Sequence, residues 1–488
     1  MYGALNPFAR SDLRKIHDAS LVILEKAGAF VAHDRVLDCL DAAGWRVDRD
    51  QQIVRFDGDR IEHLLTTFRG DLNRKLRGTT LSVSIDSGAQ AAYDFATRRN
   101  RPVEMRDLVD VPRLADGLEH VDEAGTLVMV PDMPPPLWDL YNHRYAWTYT
   151  RKTGGGGLGR NPSFTYSYYA RSIEYLLEMA AIKYGGTEEL RSNPVVSLAL
   201  FPASPLRWDA QLLKYVFRVA EAGQIIGVGS NVIAGIQSPI TPAANIAIEN
   251  AERLAGLCIV KAINAAAPVF FCNHSYLLDM CSGDVASGSP EQTLMPLLGQ
   301  KLLEYYGWHL MVNHPVLDTS AHVPDAQAAA EKMMYLLFTG LGGSKGIAGV
   351  GQLKESFCYE QAVIDNEMAG YVKHLLKGAA IDAETLAVDL IVERGPGGNF
   401  LDADHTVEHL RDCYYQPGIF GRSRFSEWTR NGGQTTLERA HARVEELLSG
   451  EPPRYLTLDQ EAAMDEVIER ARRELAPEWH PPWTPPPP

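Results

Sequence analysis

The alternation of apolar and polar positions changes character twice along the 488-residue chain. Near the start, RSDLRKIHDASLVILEKAG (10–28) repeats apolar residues at helical spacing, with Gly28 placed to end the helix. The pattern predicts a second helix over 33–43, a strand over 52–56 and a third helix over 59–68. TTLSVSID and AAYDF then read as two short strands around a Ser-Gly turn. From about residue 105, short apolar runs recur at 125–130, 195–201, 224–231, 267–273, 308–313 and 345–351. Amphipathic stretches between them predict helices over 170–184, 207–222, 243–265, 291–306 and 325–341. After residue 355 the pattern is helical, over 358–376, 382–393, 404–415, 434–448 and 458–474. The chain ends in PEWHPPWTPPPP, whose prolines lack amide donors for helix or sheet.

Strand, loop and helix in regular succession predict a parallel α/β sheet. No GxGxxG follows a first strand, which argues against a dinucleotide fold. The spacing suits a TIM (β/α)8 barrel. Six strands can be counted, and the missing pair is expected near Gly154–Leu158 and Val388–Val392. The expected organisation is an N-terminal α+β module (1–104) packed on a barrel (105–400). A helical C-terminal extension (401–476) and a proline-rich tail (477–488), extended on a neighbour or frayed, would follow.

Composition narrows the function by exclusion. The 47 basic and 62 acidic side chains give a formal charge of -15, which repels phosphate backbones and makes nucleic acid an unsuitable partner. Six cysteines are scattered with no pair at metal-ligand spacing, so no bound metal and a reducing, cytoplasmic setting are expected. No N-terminal apolar run and no stretch near the ~18 residues of a membrane helix is present. There is no P-loop, HExxH, paired CxxC or G-x-S-x-G elbow.

Five segments carry a likeness. They are IHDASLVILEKAGAFVAHDRVLDCLDAAGWRVD followed by IVRF, AGIQSPITPAANIAIENAERLAG (234–256), LDMCSGDVASGSPE (278–291), LDTSAHVPDAQAAAEKMM (317–334), and Gly395–Leu401 with His405-Thr406. Their order and spacing resemble the trimethylamine methyltransferase family over roughly residues 10–475. The resemblance implies a TIM barrel that passes a methyl group from an amine to the cobalt of a corrinoid (cobalamin) carried by a separate small protein. The chain has only the twenty ordinary residue types, so it is similar to the pyrrolysine-lacking branch, whose characterised members demethylate quaternary amines such as glycine betaine, proline betaine or carnitine. It departs from its relatives at Asp318-Thr319-Ser320, where they tend to read Asp-Ser-Lys. That removes a lysine suited to a substrate carboxylate.

Displacement of a methyl from a quaternary ammonium releases a neutral amine, so no general acid is required. The protein's task would be positioning and desolvation. An aromatic cage, at about 0.5–2 kcal/mol per cation–π contact, and one carboxylate would recognise the cation. At strand C-terminal ends the candidate carboxylates are Asp318, Asp132 and Asp279. Asn231, His274, Tyr276, His314, Gln327 and Gln352 are candidate pocket residues, and Gly349 and Gly351 would allow backbone or cofactor to approach closely. Candidate cage aromatics are Trp138, Tyr141, Tyr145, Trp147 and Tyr149, in an expected loop after Asp132, with Phe357 and Tyr359. The alternatives for these residues are turn caps, buried polar pairs and core aromatics. Gly395–Leu401 and His405 are expected to shape a turn against the barrel. Two other readings stay open: a carboxylate-based hydrolase or lyase on the same barrel, and a non-catalytic quaternary-amine binding protein. The barrel's size and the proline tail are compatible with a homo-oligomer.

Overall fold

The computed structural model describes residues 4–68, 81–85, 88–125, 128–153, 163–165, 170–192, 194, 196–271, 274–308 and 316–481. Short strands pair in parallel in two arcs. In the first, Ser163–Thr165, Val196–Leu200, Ile225–Val228 and Val269–Phe271 lie side by side, with Ile226 opposite Leu198 and Gly227 opposite Phe270. In the second, Ser82–Ile85 lies between Glu123–Ala124 and Gly346–Ile347. Parallel bridges join Val316 to Ala348 and Ala89 to Val128.

The crossovers are helices, and side-chain caps set where several begin. Asp209 accepts from Leu212 N to open Ala210–Glu221, and Ser289 accepts from Gln292 N to open Pro290–Tyr305. Asp325 accepts from Gln327 N and Ala328 N to open Ala326–Leu341. Each cap satisfies an otherwise orphaned amide and fixes the first helical turn beside the preceding strand end.

The N-terminal helix Arg10–Lys26 packs on Pro242–Ile263, where Ser20 Oγ donates to Ala247 O at 2.9 Å. The small sheet of Ala29–Val31, Ile53–Arg55 and Arg46–Asp48 gains Arg207–Trp208 as a parallel edge. Sheet pairing also crosses the division expected at 104/105. Ser82–Ile85 pairs with Gly346–Ile347 and Glu123–Ala124, so it belongs to the parallel sheet and not to a separate module.

Two further expectations are corrected. Val388–Arg394 is a helix, as the 382–393 pattern predicts, and not the barrel strand also expected there, with Asp389 in its first turn and Arg394 in its last, each favourable to the helix dipole. A short apolar run alone cannot tell the two apart. Pro135–Tyr149 is a 15-residue helix, not a loop. Its prolines occupy the first turn, where a missing amide costs nothing. Helices Asp107–Gly117, Ala170–Tyr184 and Leu458–Leu475 surround it, so twelve of its residues are buried and no amphipathic stripe remains. Gly154–Leu158 and residues 309–315 lie outside the described residues.

Helix Tyr359–Lys377 packs on Thr436–Leu448. Helix Leu458–Leu475 is tied down by Arg144 donating to Asp465 at 2.7 Å and by Tyr175 Oη donating to Glu474 at 2.6 Å. The start of the proline tail folds back on its own chain. Arg472 donates to Trp479 O at 2.9 Å, and the Trp479 ring meets Tyr141 edge-on.

Candidate active site

The site is built from the loops that follow the parallel strands. Leu317 N donates to Ala348 O at 2.7 Å, which carries the Val316 bridge one residue further. The next residue, Asp318, is 7 % exposed. Gln292 Nε2 lies 3.4 Å from its Oδ2, a long contact, while Gln292 Oε1 accepts from Gly288 N at 2.7 Å. Burial pushes the Asp318 carboxyl above its ordinary value, and the charges of Lys332 and Lys354 oppose that push. The loop behind it is pinned by Glu331, whose Oε2 accepts from Thr319 Oγ1 at 2.5 Å and from Ser320 N at 2.9 Å. Ser320 Oγ donates to Ser287 O at 2.6 Å.

Lys332 and Asp365 hold the neighbouring strand end. Lys332 Nζ donates to Asp365 Oδ2 at 2.6 Å, and Gly351 N donates to the same oxygen at 2.8 Å. Gln361 Nε2 donates to Asp365 Oδ1 at 2.7 Å. A Cβ at Gly349 (φ 93°) would meet Val316 and the Leu317 backbone, and one at Gly351 (φ 82°) would meet Phe357 and Ala362. The close approach at both glycines is therefore made by this chain's own core.

On the other side, Ile233–Ala234 and Tyr276–Leu277 continue the parallel pairing beyond strands 225–228 and 269–271. His274 N donates to Ser230 O and Tyr276 N to Val232 O, both at 3.1 Å. The His274 ring lies 5.6 Å from Phe201, edge to face, and 6.4 Å from Tyr276. His274 and Tyr276 are partly accessible, yet burial pushes the imidazole down to about 4 and the phenol up. The Asp318 charge also raises the phenols of Tyr276 and buried Tyr335, which places the three groups in one electrostatic cluster.

Glu252, with no exposure, ties two of these loops together. It accepts from Ser230 Oγ at 2.5 Å, Leu206 N at 2.7 Å and Ser204 Oγ at 3.0 Å, and burial still pushes it up to about 7.

The structure brings Asp318, Tyr276 and His274 to one region and gives most other candidates other surroundings. Asp132 and Asn231 are exposed. Asp279 closes a turn, accepting from Cys281 N at 2.9 Å and Ser282 Oγ at 2.8 Å, which holds its carboxyl below the ordinary value. Gln327 is exposed and donates to Glu331 at 2.9 Å. Gln352 is half-buried in the short strand Gln352–Leu353. His314 lies outside the described residues.

The aromatics expected as a cage are held in other contacts. Tyr149 stacks with Tyr145 and lies under Arg454. Phe357 has no exposure, and Tyr359 Oη donates to Asp107 at 2.6 Å. Tyr141 and Tyr145 are core residues of the 135–149 helix, and Trp147 lies against His143 and Lys183.

Sequence reasoning missed Gln292, Lys332, Tyr335, Asp365 and Glu252. One signal was available: Lys332 is the only basic residue in AQAAAEKMMYLLFTGL. A cavity of ≈ 620 Å³ opens beside the Asp318 loop, lined by Asp279, Ser320, His322, Glu331 and Lys354 among others. It holds no phenyl, phenol or indole ring. No group of three or more His, Cys, Asp or Glu among the described residues could hold a metal ion, and no helix among them is long and apolar enough to cross a membrane.

Comparison with known proteins follows this geometry. The chain is 27% identical over 486 residues to a glycine betaine methyltransferase of Desulfitobacterium hafniense (strain Y51), covering 97% of this chain and 98% of the relative. It is 32% identical over 493 residues to a trimethylamine methyltransferase MttB of Methanosarcina barkeri, covering 96% and 95%. Among solved structures, the monomethylamine methyltransferase (MtmB) of Methanosarcina barkeri aligns at 13% identity with a TM-score of 0.46, covering 91% of this chain and 89% of that one. The family model for trimethylamine methyltransferase (MTTB) matches residues 1–476. With that match over nearly the whole chain, the protein belongs to the trimethylamine methyltransferase family.

Proposed function

We propose that this chain transfers a methyl group from a quaternary amine of the glycine betaine type to the cobalt of a corrinoid presented by a separate protein. The reaction would occur at the C-terminal mouth of a closed eight-stranded barrel. The observation that carries the reading is the buried Asp318 carboxylate, clustered with the Tyr276 phenol at the ends of the parallel strands. Closure of the barrel is supported by strand order: both arcs are parallel, and residues 309–315 fall between Val269–Phe271 and Gly346–Ile347 in sequence.

In this site Asp318 faces the ammonium, and its ionised form is favoured once the cation arrives. His274 stays uncharged near neutral pH, because burial holds it down to about 4, and so does not repel the cation. Tyr276 and Phe201 offer ring surface to the N-methyl groups. Lys332, Asp365 and Glu331 fix the loops so that one methyl is held toward the mouth. The amine leaves neutral with the electron pair of the broken C–N bond, so no proton donor is assigned. Ser320 spends its hydroxyl on Ser287 O, so it does not replace the lysine that the family resemblance leads one to expect there.

The test is anaerobic incubation of the protein with reduced cob(I)alamin, with and without a cognate corrinoid protein, and a panel of glycine betaine, carnitine, choline and methylamines. Methylcobalamin formation with a quaternary amine is the expected result. Turnover of tertiary or primary methylamines alone would overturn the substrate assignment, and catalysis without any corrinoid would overturn the reaction.

A further inference from the structure

The segment Gly395–Leu401 with His405-Thr406, prominent in the sequence, takes no part in the site above. Three helices flank its turn, Ala383–Leu386, Val388–Arg394 and Asp404–Cys413, and none of them has a buried residue. Apolar burial therefore does little to set how the first of these meets the last. Two histidines lie where they meet.

His405 and His409 are one helical turn apart on Asp404–Cys413, so both rings stand on one face. Their centroids are 4.3 Å apart at an interplanar angle of 46°. Both Nε2 atoms turn toward one residue of the facing helix, Glu384. His405 Nε2 is 3.0 Å from Glu384 O, and His409 Nε2 is 3.5 Å from Glu384 Oε1. The second separation is long for a hydrogen bond, and His409 Nε2 is shielded from solvent with no hydrogen-bond partner among the described residues. A shielded, unpaired ring nitrogen needs a partner that the chain itself does not supply. Glu384 O accepts from Ala387 N at 3.1 Å and keeps a second lone pair.

These separations are those of neighbouring ligands around one ion. Two donors each about 2.1 Å from a metal are about 3.0 Å apart at a right angle and about 3.4 Å apart at a tetrahedral one. Two imidazoles spaced in this way on a helix also form the chelating half of the H-E-x-x-H zinc motif. The Asp382 carboxyl, held low chiefly by its hydrogen bonds from Thr385, also feels His409. Two carboxylates therefore lie near the pair and favour a cation.

We infer that His405, His409 and the Glu384 main-chain oxygen hold one divalent late transition ion of the Ni2+, Cu2+ or Zn2+ class, with water completing its shell. Imidazole nitrogens suit these ions, whereas Mg2+ and Ca2+ take oxygen ligands. With two ligating side chains the site is an open chelate, unlike closed centres built from three or four. Its role is structural. The ion ties Asp404–Cys413 to Ala383–Leu386 and closes the chain through Gly395–Leu401 into a loop, where little apolar burial does so. No residue of the Asp318 and Tyr276 cluster takes part.

Equilibrium dialysis of the full chain, stripped with a chelator and then exposed to Ni2+, Zn2+ or Mg2+, tests this. One Ni2+ or Zn2+ per chain should bind at micromolar concentration, and Mg2+ should not. His405→Ala and His409→Ala should each weaken binding by about tenfold or more, with unchanged circular dichroism. His63→Ala, at an exposed histidine on another helix, should leave binding unchanged. Cu2+ on the wild type should show two-nitrogen coordination by electron paramagnetic resonance, falling to one nitrogen in His405→Ala. Added Ni2+ should slow amide hydrogen exchange across Asp404–Cys413 in the wild type and not in His409→Ala. Wild-type binding no tighter than that of His405→Ala/His409→Ala would overturn the inference, as would an unchanged exchange rate in that helix.

Discussion

Lys332 Nζ lies 2.6 Å from Asp365 Oδ2, and neither side chain has any exposure to solvent. Two charges withdrawn from water lose hydration that only a well-formed pair and its hydrogen bonds can offset. Here the carboxylate also receives Gly351 N and Gln361, so the pair fixes the loop at the end of strand Gly346–Ile347. Lys332→Met alone should cost about 3–5 kcal/mol, because it strands a buried carboxylate, and Lys332→Met/Asp365→Leu should recover most of that loss. Urea unfolding of the two variants checks it; equal losses would show the pair is not coupled.

Asp318→Asn should lower kcat/KM for the quaternary amine by about 30-fold or more, as truncating one partner of a buried charge pair costs about 2–5 kcal/mol. The wild-type acidic limb should also change. Burial raises the Asp318 pKa, so activity should rise with pH through that raised value, and the Asn variant should lack this limb. A pH profile of both proteins, with ligand binding followed by calorimetry, distinguishes lost binding from lost folding.

Glu252 makes stability depend on pH in a defined direction. Its native pKa of about 7 exceeds the ordinary 4.5, so the folded state keeps a proton that the unfolded state has released. The stabilisation is complete below about 4.5 and is lost as pH rises toward 7, a change of about 3 kcal/mol. Glu252→Gln should flatten that slope while retaining an acceptor for Ser230, Ser204 and Leu206 N. Denaturation midpoints at pH 5 and pH 8 provide the comparison.

Gly370 sits within helix Tyr359–Lys377, where alanine would ordinarily be favoured by about 0.5–1 kcal/mol. A Cβ there would collide with Tyr415 Oη and the His120 ring. Tyr415 is no loose end, because its hydroxyl donates to Glu367 at 3.1 Å. Overpacking should win, so Gly370→Ala should destabilise by about 1–3 kcal/mol, and adding Tyr415→Phe should relieve part of the loss. Thermal unfolding of the three variants reads the coupling directly.

Several helix positions were legible in the sequence, two of them opening on a proline in the first turn. The 170–184 expectation coincides with Ala170–Tyr184, and those at 243–265 and 291–306 fall within two residues of Pro242–Ile263 and Pro290–Tyr305. Pro135–Tyr149 was not legible, since surrounding helices bury it on all sides and erase the periodic signal. The strand Ser82–Ile85 was legible as a strand but not as part of the parallel sheet, because its partner Gly346–Ile347 lies more than 250 residues away.

The order of apolar runs and amphipathic stretches, with five motif segments in sequence, was by itself enough to determine a parallel α/β architecture and membership of the trimethylamine methyltransferase family. Those signals are local, and a chain carries them before it folds. The tertiary structure decided which charges are buried and with whom. Asp318 and Asp132 look alike as residues that follow apolar runs, yet one is desolvated among Gln292, Lys332 and Tyr276 and the other meets solvent. Desolvation depends on everything packed around a group, and that neighbourhood exists only after distant segments meet.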